Sequence, residues 1–135
     1  MSDRIVERAR QLLGVEFRAQ GRSPDRGVDC IGVVVIACRL PPDCGRGDYR
    51  LRGDHRREIE IIVERYFRPV GTGRRRAGDL LLMRVRDDQW HLGIATDIGV
   101  VHADARLRKV VEWPGQPPFD VIATYRRRMR PTMRN

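Results

Sequence analysis

Aromatic side chains are scarce in this chain, at 6% of residues, and they do not interleave with its basic runs. No stacking platform for single-stranded nucleic acid is therefore visible. Cysteine is also sparse. Cys30, Cys38 and Cys44 form an odd set with no Cys-x-x-Cys pair, which argues against a disulfide framework or a zinc site. Lysine occurs once, at Lys109, so the net charge of +9 is carried by arginine. Such a surface favours polyanions in general, whether nucleic acid, acidic wall polymer or a negative protein face. Nucleic acid is the weaker of these readings, because the arginine runs at 74–76 and 126–128 lack stacking partners. No apolar run is long enough to span a bilayer, so no membrane partner is expected. The opening segment "MSDRIVERARQLLG" is charged throughout and lacks the apolar stretch of a secretory signal. The expectation is a chain made in a reducing cytoplasm without a signal peptide.

What remains is enough for one domain. At 135 residues, 41% apolar and 33% charged, the chain can build a single hydrophobic core but not two. Residues 1–128 are read as that domain and 129–135 as a basic tail. Ile5, Val6, Ala9, Leu12 and Leu13 share one face at helical spacing, with Ser2 as N-cap and Gly14 as terminator. A loop follows, "VEFRAQGRSPDRG". The apolar run from Cys30 to Leu40 is too long for a typical strand; Asp29 caps it as a buried helix and Pro41 and Pro42 close it. After a loop containing Cys44, Gly45 and Gly47, the positions Ile59, Ile62, Val63 and Tyr66 mark a third helix that Pro69 ends. Then the period changes. "GDLLLMRV", "HLGIATD", "GVVHAD", "RKVVEW" and "FDVIATYRR" are short β-branched segments punctuated by Asp, Gly and Pro, the pattern of an antiparallel meander. Helices first and strands second predict an α+β fold, with N-terminal helices packed on a C-terminal antiparallel sheet of about five strands.

Chemistry concentrates at Cys30. A cysteine in the first turn of a helix meets free backbone N–H groups and the positive end of the dipole, which lowers the thiol pKa. Gly32, one turn-position on, leaves space beside the sulfur for a substrate or for close packing. Against this stands the plain buried cysteine, which Cys38 illustrates in mid-helix. A thiolate nucleophile also needs a base and an orienting group. If Asp97, Ile98 and Gly99 form a turn, His91 and His102 lie a few residues on either side of it, and antiparallel pairing sets the two imidazoles side by side. His55, beside Asp54 and two arginines, reads as a solvated residue at a helix start. A zinc site would need Asp97 or Asp104 beside the histidine pair, so no metal and no cofactor is expected.

The blocks "FRAQGRSPDRGVDCIG", "AGDLLLM", "HLGIA" and "VVHAD", in that order over roughly residues 5 to 126, resemble the NlpC-type cysteine peptidases, the papain-like cell-wall hydrolases. The resemblance implies a papain-like fold and cleavage of an amide in peptidoglycan stem peptides, typically between D-glutamate and a diamino acid. It implies Cys30 as nucleophile, His91 as the base of the ion pair and His102 as the polar residue orienting it. Two positions depart from the family pattern. Ile31 stands where many members have serine. Phe17 stands where many have a tyrosine whose hydroxyl faces the site, so that donor is lost. The Cys30 N–H remains for an oxyanion, with Arg18 or Gln20 as a further donor. An aromatic followed by "QGR" resembles the short members carried by phage tails and gene transfer agents, which implies tail or hub proteins as partners and a place in the particle. The alternative is a tail-hub assembly protein with a vestigial hydrolase fold.

Overall fold

The computed structural model describes residues 2–45, 55–71, 73–86 and 89–128. Among these the chain order is α1 (Ser2–Arg10), β1 (Arg22–Ser23), β2 (Gly27–Val28), α2 (Cys30–Ala37), α3 (His55–Tyr66), β3 (Phe67–Pro69), β4 (Leu80–Arg86), β5 (Gln89–Ala95), β6 (Gly99–Asp104), β7 (Lys109–Pro114) and β8 (Asp120–Arg127). The 129–135 tail, the Ser2 side chain and the stretch holding Gly47 and Asp54 lie outside the described residues.

The two short strands β1 and β2 pair with each other inside the segment expected to be loop. The other six form one antiparallel sheet in the order β3-β8-β4-β5-β6-β7. The expected count was about five. The sixth strand is β3, which leaves α3 directly at Phe67 and pairs Phe67 with Arg127. Three residues carry too little alternation to announce a strand; the β8 edge supplies the pattern.

Side chains alternate across a strand, and here the alternation sorts two apolar clusters. Leu80, Leu82, Leu92, Ile94, Val101 and Ala103 join the core formed with the helices. Leu81, Met83, Ala95 and Val100 form a second cluster with Phe119 and Val121. Helix α2 is apolar on every side and almost wholly buried, as a helix without a polar face must be. It packs on α1 and across β5 and β6. It ends at Ala37, earlier than the prolines suggest, because Arg39 takes a left-handed φ of 55°. Arg8 Nε caps that end by donating to the Ala37 carbonyl at 2.8 Å. The last turn of α1 also differs from its periodicity: the helix stops at Arg10, so Leu12 is buried while Leu13 faces solvent.

Two arginine clusters fasten the sheet. Arg126 binds the buried Asp79 in bidentate fashion, at 2.8 and 2.9 Å. Arg10 ties α1 to Glu112 on β7 and to Asp97 in the β5–β6 turn. Among the described residues no helix is long and apolar enough to cross a membrane.

Candidate active site

The turn before α2 places Cys30. Asp29 sits in extended backbone and caps the helix, its Oδ1 accepting the Gly32 N–H at 2.8 Å. Its second oxygen accepts the Gln20 N–H at 2.9 Å, with Gln20 at a left-handed φ of 62°. One carboxylate thus joins the helix start to the loop ahead of it. Gly32 serves the same junction: a Cβ there would collide with the Gly21 carbonyl oxygen. Its lack of a side chain admits the loop, not a ligand beside sulfur.

Cys30 is only 2% exposed. It nevertheless lines a cleft of about 820 Å³, together with Phe17, Gln20, His55, Trp90 and His91. Arg18 does not line that cleft. Its side chain lies against Gly27 instead.

The sulfur's surroundings oppose each other. Burial pushes the thiol pKa up, and the adjacent Asp29 charge pushes the same way. The N–H groups of Leu92, Ile31 and Cys30 favour the thiolate, but by less. The resting group is therefore a neutral thiol, in contrast to the depressed pKa that a helix N-terminus suggests. The dipole argument omits desolvation, which is the larger effect in a site this dry.

His91 and His102 meet as a diagonal pair, not face to face. Strand β5 pairs with β6 through Ile94↔Val101 and Ala95↔Val100. Continuing that register puts His102 opposite Gly93, two residues along from His91. The reason is where the turn is centred: the Thr96 N–H donates to the Gly99 carbonyl, one residue beyond the centre that would face 91 with 102, and the Thr96 hydroxyl accepts the Ile98 and Gly99 N–H groups. The imidazoles still touch, with His91 Nε2 2.9 Å from His102 Nδ1 and the rings perpendicular. Phe119 packs edge-on against both, at centroid distances of 5.6 and 6.2 Å. His102 is fully buried, and its Nε2 has no hydrogen-bond partner among the described residues. Burial pushes both imidazoles toward the neutral form, with neighbouring His102 and His55 adding to it at His91, which falls to about 3.

His55 is not the solvated residue its neighbours suggest. It is half-buried at the head of α3, with Nε2 3.1 Å from Cys30 Sγ. A buried ion pair one turn on, Arg22 with Glu58 at 3.4 Å, anchors that end of α3 to β1. Beside it, Arg56 lies over the Trp90 ring at 4.3 Å. Sequence pattern gave no distance between α2 and α3, and the available signal was simply scarcity. The chain has three histidines, and all three belong to this one site.

Cys38 is buried, its thiol pushed up to about 12 by desolvation. Among the described residues no three His, Cys, Asp or Glu side chains cluster as metal ligands. Asp104 is occupied in capping the β6–β7 turn, and Asp97 is held by Arg10.

Solved structures share this architecture. NlpC1 from Trichomonas vaginalis superposes with a TM-score of 0.65 at 15% identity, over 93% of this chain and 43% of that one. The chain has the NlpC/p60 fold. The peptidoglycan hydrolase RipB from Mycobacterium tuberculosis gives 0.62 at 18% identity, over 93% of this chain and 63% of that chain. The NlpC/p60 domain of the peptidoglycan hydrolase SagA gives 0.59 at 21%, over 84% and 89%. This chain therefore spans less than half of the Trichomonas protein and nearly all of the isolated SagA domain. No protein-family model matches the sequence, and no curated protein matches it.

Proposed function

We propose that this protein is a cysteine peptidase that cleaves an amide bond in peptidoglycan stem peptides. The observation that carries the reading is a thiol at the head of a buried helix, opening on a cleft that also holds His91, itself 2.9 Å from His102. Cys30 is the nucleophile: its sulfur attacks the scissile carbonyl, and the oxyanion that develops is held by the Cys30 N–H at the helix terminus. His91 is the imidazole base, and His102 holds its ring angle and tautomer. The peptidoglycan hydrolase structures of the same fold support the substrate class.

The family resemblance around Phe17 and "QGR" further supports a place in a phage-like tail or gene-transfer particle. Purified particles should contain the chain by mass spectrometry. A hub protein with no remaining activity is the competing reading, and it draws on Phe17, which brings no hydroxyl to the cleft wall.

Digestion of purified peptidoglycan, with the released fragments identified by mass, tests the activity. Wild type should release stem-peptide fragments and Cys30→Ala none, with the melting temperature of the variant close to wild type. Fragment release by a folded Cys30→Ala protein would remove the thiol mechanism.

A further inference from the structure

Among the described residues, the imidazole hydrogen-bonded to the sulfur is His55, outside the His91–His102 pair. Cys30 Sγ lies 3.1 Å from Nε2 of His55, on a different helix. Two independent observations bear on which ring accepts the thiol proton.

The first is that contact. A neutral thiol at this distance donates its proton into the Nε2 lone pair of a ring protonated on Nδ1. The ring is held there by structure: α3 begins at His55, and the buried Arg22–Glu58 pair fixes its first turn.

The second is that the other two rings are engaged with each other. His91 Nε2 lies 2.9 Å from His102 Nδ1, and Phe119 packs edge-on against both. Among the described residues, His55 is the imidazole within hydrogen-bond distance of the sulfur.

We propose that His55 is a second catalytic imidazole, the group that takes the thiol proton of Cys30. The inference rests on the peptidase reading for the reaction and refines one step of it. The S–H bond breaks, its proton moves to His55 Nε2, and the sulfur electron pair bonds to the scissile carbonyl carbon as the carbonyl π pair moves to oxygen. When the C=O bond re-forms and the C–N bond breaks, the amine nitrogen takes up that proton and His55 returns to neutral. In the second half of the reaction His91, held by His102, takes a proton from the water whose oxygen bonds to the thioester carbon, and the proton returns to sulfur as the C–S bond breaks. The charged and titratable groups facing this chemistry are Asp29 on the α2 cap, Arg56 and Glu58 on α3, and His91 on β5.

Iodoacetamide alkylation of Cys30 in the full chain, followed by peptide mass from pH 5 to 9, tests the step without any need for the substrate. His55→Gln keeps the shape and the ability to donate but cannot hold the proton. It should slow alkylation near neutral pH by ~100-fold, the usual scale for a general base, and His55→Ala should do the same. His91→Gln should lose turnover yet slow alkylation far less than His55→Gln. The reverse ranking overturns the proposal. A measurement without substitution stands beside it: blocking Cys30 in wild type should move the ¹⁵N signal of His55 Nε2, and an unmoved signal also overturns it. If wild type releases no peptidoglycan fragment while alkylation still depends on His55, the peptidase reading fails and the thiol–His55 pairing stands.

Discussion

Replacing Asp29 separates two effects that this carboxylate combines. It accepts two backbone N–H groups, from Gly32 at 2.8 Å and from Gln20 at 2.9 Å. It also places a negative charge next to the thiol and raises the thiol pKa. Asp29→Ala removes both acceptors. Loss of the cap costs about 1 kcal/mol. Loss of the second bond, from the Gln20 N–H, costs about 1–2 kcal/mol more. The total is roughly 2–3 kcal/mol. At about 4 °C per kcal/mol for a domain of this size, melting should fall by roughly 8–12 °C. Asp29→Asn keeps one acceptor oxygen for the helix and turns an amide toward the Gln20 N–H, so about half of that loss is expected. Its effect on the thiol runs the other way. With the charge gone, only burial still opposes the N–H groups at sulfur, the thiol pKa falls, and Cys30 should alkylate faster near neutral pH. Thermal melts and iodoacetamide rates on the same two variants read both effects. An unchanged melting temperature in Asp29→Ala, or slower alkylation in Asp29→Asn than in wild type, would refute the reasoning.

Gly32→Ala should destabilise by about 1–3 kcal/mol, since its methyl group meets the Gly21 carbonyl in a junction with no slack; urea midpoints check this. The His91 ring, neutral in the fold with its pKa lowered from 6.5 to about 3, makes stability pH-dependent. Between those values the unfolded chain binds the extra proton, so stability is fully present above pH 6.5 and is lost as the pH falls toward 3. The slope from this residue is at most about 1.4 kcal/mol per pH unit, and His91→Gln should flatten it in melts run across that window. On peptidoglycan, His91→Ala should lose nearly all turnover while His102→Ala keeps a measurable fraction; equal residual rates would reject the separate roles.

Much of this architecture is legible in local pattern. A capping aspartate before an unbroken apolar run announces a buried helix, because N-caps and side-chain burial depend on neighbours within a few residues. Alternating apolar segments with Gly and Asp between them announce an antiparallel sheet for the same reason. The positions of His91 and His102 on adjacent strands follow from that pattern. Their diagonal offset does not, because it depends on where the turn is centred, and the pairing of Thr96 with Gly99 sets that. β3 has no pattern of its own and exists because β8 offers an edge.

The contact between His55 and Cys30 spans 25 residues and two helices. Nothing periodic in either segment encodes it; packing of α3 against the sheet and the Arg22–Glu58 pair set it. The direction of the thiol pKa belongs to the same class. Residue order places a helix dipole and a carboxylate at sulfur, whereas the dryness that outweighs the dipole comes from segments far apart in sequence closing over one atom.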